Sequence, residues 1–316
     1  LAERLNYNRG IARSHCFLGI SYTTQGKYDL AVKSLKEAYN LHQKMNNSLG
    51  SATILSYLSA AYQETGDYTM ALHYSIESTK LYEKAGDELS AATMEVNSGF
   101  IMIYNNEPES ALGLCESAIH ILEENEASLE IAKACQCFGG ALEDLGDLDS
   151  ALFYYNEALA IAIQENDISL ESYATHNIGI VYHKQENYKQ ALKFMQRSLE
   201  IDDSLGYAFN VAKSYFSVGN VYLDMGLPEK AAEYTEKAIA INEANGSLGE
   251  LLDPLQLMAE SYHEMGADSL AYVYRKKYDV IKDSVFNETK NEQFLRIKEQ
   301  FESEKKEKEI VQLQLE

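Results

Sequence analysis

Large apolar residues recur along this chain at spacings of three and four, as in LGISY (Leu18–Tyr22) and IGIVYHKQ (Ile178–Gln185). That period predicts helices rather than strands. A second, longer period lies over the first. Ala31, Ala71, Ala111, Ala151, Ala191, Ala231 and Ala271 follow one another at forty-residue steps. Twelve positions before each alanine stands a small residue: Gly19, Ser59, Gly99, Gly139, Gly179, Gly219 and Ala259. Three positions after the small residue comes a large one, Tyr22, Tyr62, Met102, Leu142, Tyr182, Tyr222 or Tyr262. Ten after the alanine stand Leu41, Leu81, Ile121, Ile161, Ile201, Ile241 and Ile281. Seven copies in register exclude coincidence.

Punctuation divides each copy in two. A glycine or polar break falls at Gly26, Gly66, Asn106, Gly146, Glu186, Gly226 and Gly266, and a new segment starts two residues later. Pro108 and Pro228 open two of these segments, where the first turn of a helix accepts proline. Each copy therefore reads as two antiparallel helices, A then B, joined by a short turn. The small residue on A and the alanine on B are expected to meet where the helix axes come closest, so a bulky replacement there should cost ~1–3 kcal/mol. One such hairpin cannot bury its apolar face alone. Stability has to come from stacking neighbours, which makes the fold an all-α solenoid of antiparallel helix hairpins.

The segments FLGISYTTQGKYDLAVKSLKEA (Phe17–Ala38), YLSAAYQETGDYTMA (Tyr57–Ala71) and SVGNVYLDMGLPEKAAEYTEKA (Ser217–Ala238) resemble tetratricopeptide repeats in a long, forty-residue form. The resemblance runs from Leu18 to about Tyr278. It implies a right-handed superhelix whose concave groove, lined by the A helices, binds a protein or peptide. The expected organisation is residues 1–8 as the end of an upstream repeat, 9–286 as seven repeat units, and 287–316 as a charged helical or coiled-coil extension. In that extension Phe294, Ile297 and Phe301 form one apolar seam, which suggests homodimerisation or capping of the last hairpin.

The resemblance also suggests groove residues, by their distance from the small column. In the strongest unit these are His176, Asn177, Ile180 and His183, with Tyr173 beside them. Asn97, Lys133 and Gln136 precede them, and Lys213, Phe216 and Asn220 follow. Asparagine suits a bound peptide backbone, because one amide both donates and accepts a hydrogen bond. Long acidic repeats with a tail such as FESEKKEKEIVQLQLE (Phe301–Glu316) are similar to the sensor regions of bacterial histidine kinases and LuxR-type regulators. That similarity implies a periplasmic sensory region of a two-component system. A cytoplasmic adaptor, or a peptide-responsive regulator that binds a response regulator, is the alternative.

Composition narrows the chemistry. Of 316 residues 46% are hydrophobic and 24% charged, the balance of a folded chain. A net charge of −22 argues against nucleic acid as a partner of this region. No apolar run is long enough to span a membrane. Cys16, Cys115, Cys135 and Cys137 show no zinc spacing and read as buried apolar thiols. GxGxxG, GxxxxGK[ST], GxSxG and HExxH are all absent, so no catalytic role, cofactor or metal is expected. The pair His176 and His183 stands roughly 10.5 Å apart along a helix, too far to share one metal.

Overall fold

The computed structural model describes the backbone of residues 2–284 and the side chains of 7–284. The extension at 287–316, with its seam and its expected dimer contact, lies outside these residues. Odd-numbered helices are the A elements: α1 (Ala2–Thr24), α3 (Ser48–Glu64), α5 (Glu88–Tyr104), α7 (Ser128–Asp144), α9 (Ile168–Lys184), α11 (Ala208–Asp224) and α13 (Leu252–Glu264). The B elements are α2 (Tyr28–Lys44), α4 (Tyr68–Ala85), α6 (Pro108–Glu124), α8 (Leu148–Gln164), α10 (Tyr188–Leu205), α12 (Pro228–Asn245) and α14, residues 268–284. No strand occurs among the described residues.

The turns explain the regularity. A residue in the left-handed region stands at every twentieth position from 26 to 266, with φ between 51° and 82°. Glycine fills eight of these thirteen places; Asn46, Asn106, Glu126, Asn166 and Glu186 fill the rest. After most of them the next backbone N–H closes the helix end, as Lys27 N–H does on the Tyr22 carbonyl at 2.9 Å and Asp147 N–H on that of Leu142 at 2.9 Å. The following helix is then capped where the sequence supplies a cap. Asn47, Asp67, Asp87, Asp147 and Asp167 each accept the backbone N–H three residues on. Residues 2–8 carry no such break, and α1 is continuous across residue 8.

Two compact units divide the chain, Leu1–Gln185 and Glu186–Glu316. In the first, each helix packs on the next, and the A helices also touch in the pairs α1/α3, α5/α7 and α7/α9. In the second, α10 to α13 pack in sequence and α11 touches α13. The small column meets the alanine as expected. Ser59 donates to the Ala71 carbonyl at 2.8 Å, and a Cβ added to Gly219 would lie 3.3 Å from that of Ala231. Cores form between hairpins: Leu35 of α2, Leu58 of α3 and Ile101 of α5 belong to one cluster. In two hairpins residues twelve apart stack aromatic rings, Tyr62 on Tyr74 at 5.4 Å and Tyr262 on Tyr274 at 5.4 Å.

One expectation fails. Cys115 and Cys137 are not separate apolar thiols but a disulfide joining α6 to α7, with 6.8 Å between their α-carbons. The small column makes room for it. A Cβ on Gly99 would fall 2.9 Å from Cys115 Sγ and 2.6 Å from Cys137 Sγ. Cys16 and Cys135 remain free.

Candidate functional site on the A helices

In the unit ending at Gln185, α5, α7 and α9 present the residues singled out for recognition. Their surroundings differ sharply. Asn97 and Lys133 are exposed, and the Asn97 amide reaches only Met94 Sδ, at 3.6 Å. Tyr173 keeps 39% of its surface. His183 is half-buried. Gln136, His176 and Asn177 keep only 4%, 6% and 7%. Sequence spacing placed these three on an open groove; in the folded unit they lie beneath its surface.

A polar network explains part of that burial. Tyr104 at the end of α5 hydrogen-bonds Tyr173 of α9, which also bonds Asn177 one turn on. Burial pushes the Tyr104 phenol above its usual range, reinforced by the neighbouring Tyr173. For Tyr173 burial again raises the value, opposed by the hydrogen bonds from Asn177 and Tyr104. Tyr68 of α4 stacks on Tyr104, ring centroids 5.8 Å apart. Two A helices separated by a whole hairpin are thus tied by side chains.

Beneath them Glu143 of α7 organises the second half of the network. Its carboxylate accepts from the Tyr155 hydroxyl of α8 at 3.0 Å and pairs with Lys184 Nζ of α9 at 2.8 Å. Only 13% of the Glu143 side chain is exposed, so this pair is shielded more than a surface ion pair. Gly139 and Gly140 leave space for the Tyr155 ring: a Cβ on Gly139 would sit 2.6 Å from it.

Gln136 stands out within this frame. It is buried on α7, and its Nε2 donor finds no acceptor among the described residues. A buried donor left unbonded costs ~1–3 kcal/mol, a cost that a carbonyl oxygen brought to it would recover. Lys133, one turn earlier on the same helix, is an exposed cation.

The second unit carries its own candidates on α11. Lys213 is exposed, while Phe216 and Asn220 are half-buried. The Asn220 amide donates back to the Phe216 carbonyl at 3.3 Å. The structure therefore brings together Asn97, Lys133, Gln136, Tyr173, His176, Asn177 and His183 in one unit, and Lys213, Phe216 and Asn220 in the other. Tyr104, Glu143, Tyr155 and Lys184 were missed by the sequence reading. Their signal was weak, since each stands four or five residues after a small-column position or four after the alanine, where many residue types occur.

Among the described residues no group of three or more His, Cys, Asp or Glu is placed to hold a metal ion. No described helix is long and apolar enough to cross a membrane.

Comparison with known proteins gives a consistent result. Family profiles described as tetratricopeptide repeat match residues 10–84, 132–162 and 171–244. Outer dynein arm-docking complex subunit 4 of Xenopus laevis is 28% identical over 143 residues, which is 45% of this chain and 25% of that protein. The chain thus spans about a quarter of that relative, and 35% of tetratricopeptide repeat protein 29 of Trypanosoma brucei brucei. Among solved structures, a Rap protein complexed with Competence and Sporulation Factor superposes with a TM-score of 0.69 at 19% identity, covering 86% of this chain and 75% of that one. The tetratricopeptide repeat sensor protein of the STAND class from Pyrococcus horikoshii gives 0.62 at 17% identity, covering 88% and 43%. At these identities the two structures speak for the fold alone.

Proposed function

The chain belongs to the tetratricopeptide repeat family, and on that premise we propose that the α5–α7–α9 face receives an extended protein or peptide segment as the input of a bacterial signal-transduction protein. The observation that carries this reading is Gln136, a buried donor without an acceptor on a face otherwise tied together by polar contacts. Turned outward from beneath the surface, it would be completed by an incoming main-chain carbonyl. Lys133 beside it favours a segment that brings negative charge. The similarity to a Rap protein solved with Competence and Sporulation Factor supports a peptide in this role, and the similarity to a repeat sensor supports a sensory one. A histidine kinase or LuxR-type regulator is the proposed parent, and the periplasm the proposed compartment. The Cys115–Cys137 disulfide supports that compartment, because cytosolic thiols are kept reduced.

The test uses Gln136→Met. Random-sequence peptides selected on the parent chain should lose binding to this variant, while its unfolding midpoint rises because the unbonded donor is gone. Unchanged binding together with lower stability would remove Gln136 from the site and this reading with it. The adaptor reading is favoured instead by the similarity to a docking-complex subunit. Thiol trapping in cells distinguishes the compartments: Cys115 and Cys137 found reduced in the parent organism would exclude the periplasm.

A further inference from the structure

Charge is distributed very unevenly along this acidic chain. Residues 1–63 hold seven Lys or Arg against three Asp or Glu, whereas residues 64–316 hold 20 against 46. The basic end also has a cavity of about 340 Å³, bounded by α1, the end of α2 and the start of α3. Arg9, Arg13, Cys16, His42, Asn47 and Thr53 line it, and no Asp or Glu does. Neither arginine is ion-paired among the described residues; the one contact of this kind is Arg13 over the Phe17 ring, at 5.4 Å.

Its donors are oriented by the fold. Arg9 and Arg13 stand four apart on α1, so their side chains share one face. Asn47 caps α3 by accepting the Gly50 N–H at 3.0 Å, which turns its Nδ2 toward His42 Nδ1, also at 3.0 Å. His42 Nδ1 must then accept, and a neutral ring carries its proton on Nε2 as a donor. Burial, with the nearby Arg9 charge, lowers the His42 pKa and so favours the neutral ring. Burial raises the Cys16 thiol, so no thiolate neutralises the arginines. The start of α3 adds the positive end of a helix dipole.

The repeat pattern does not require any of this. At the place of Arg9 the next three hairpins have Leu49, Leu89 and Leu129, and at the place of His42 they have Tyr82, Leu122 and Ala162. At the place of Gly50 they have Ser90, Glu130 and Leu170. Gly50 leaves room for His42 and its partner Asn47, since a Cβ there would overlap both the imidazole ring and the Asn47 amide. Arg9, His42 and Gly50 thus differ from the next three copies and, with Arg13, line one cavity.

We propose that this cavity is an oxyanion site, taking a carboxylate or phosphate group of an acidic ligand between Arg9, Arg13 and the Nε2 donor of His42. It is separate from the α5–α7–α9 face and does not depend on the function proposed for it. Two guanidinium groups on one helix face can bind two oxygens of one anion, an arrangement stronger than a neutral hydrogen bond.

The experiment is an NMR titration of the His42 imidazole at low ionic strength with three probes: inorganic phosphate, succinate, and an acetylated, amidated tetra-aspartate peptide. A saturable shift is expected with at least one. Phosphate alone assigns a phosphorylated ligand, succinate or the peptide alone a carboxylate, and all three a general oxyanion site. Arg9→Gln and Arg13→Gln should each weaken binding about tenfold. Lys80→Gln, an exposed lysine paired with Glu77 on α4, should leave it unchanged. No saturable shift with any probe, or a shift that survives Arg9→Gln/Arg13→Gln in a chain with parental circular dichroism, overturns the proposal.

Discussion

Replacing Gly139 by alanine adds one carbon where the structure has no room for it. The new Cβ would lie 2.6 Å from two ring carbons of Tyr155 and 2.9 Å from a third. Tyr155 is 2% exposed, and its hydroxyl is held by Glu143 at 3.0 Å, so the ring cannot swing aside without breaking that bond. Overpacking costs ~1–3 kcal/mol and a lost hydrogen bond to a charged group ~1.5–3 kcal/mol. Alanine returns ~0.5–1 kcal/mol through its better helix propensity. The expected net loss is about 1.5–5.5 kcal/mol, read as a lower urea midpoint by far-UV circular dichroism. Gly113→Ala is the control. That glycine is exposed on α6 with nothing within 4 Å of an added Cβ, so the same change should stabilise by ~0.5–1 kcal/mol. Gly139→Ala as harmless as Gly113→Ala would refute the claim that this column exists for close approach.

Glu126→Gly should stabilise the first unit by ~0.5–1 kcal/mol, since Glu126 holds φ of 51° at a position where a Cβ is penalised; an unchanged urea midpoint would show that the strain is absent. Cys115→Ser should cost about 3 kcal/mol under oxidising conditions, from the closure of a 22-residue separation, and almost nothing in excess reductant. Asp147→Ala, removing a cap that accepts Ser150 N–H at 3.2 Å, should cost ~1 kcal/mol in a thermal or urea melt. Glu250 is raised by burial and by Asp253, with Lys213 opposing. A carboxyl raised on folding destabilises as pH rises from its unfolded value through its folded one, so Glu250→Gln should stabilise the second unit at neutral pH and flatten its pH profile on the acid side of neutrality. A steeper profile in the variant would reverse that assignment.

The hairpins were legible because their columns are built from extremes. Glycine at Gly26 or Gly66 and alanine at Ala31 or Ala71 have few structural substitutes. The turns between hairpins were harder to read: Asn46, Glu126 and Asn166 adopt the same left-handed backbone as Gly86 and Gly206 without the residue type that announces it. The disulfide escaped for a different reason. Cys115 and Cys137 lie on different helices of adjacent hairpins, and only the packing around Gly99 shows that they meet. The groove was read one repeat at a time, whereas the Tyr104–Tyr173 contact joins helices two repeats apart. It draws Asn177 into internal hydrogen bonding that a single-repeat reading leaves to solvent or ligand.

Comparing the seven copies with one another separates the columns that hold one kind of residue from those that vary. Six positions before the small residue the chain has Arg13, Thr53, Thr93, Lys133, Tyr173, Lys213 and Asp253. Three before it stand Cys16, Ser56, Val96, Gln136, His176, Phe216 and Gln256. These columns run through cation, hydroxyl, aromatic ring, amide and carboxylate, while the alanine column never changes. Packing alone imposes one requirement on equivalent positions of a solenoid, so it would drive them toward one solution. On the function proposed above, variation among exposed members of the first unit such as Lys133 and Tyr173 is what a surface would retain if each hairpin met a different part of a ligand. Exchanging exposed members between hairpins, Lys133→Thr with Thr93→Lys for instance, should therefore leave the unfolding midpoint within ~0.5 kcal/mol while altering the set of peptides selected. A large stability loss on that exchange would mean that these columns, too, are committed to the fold.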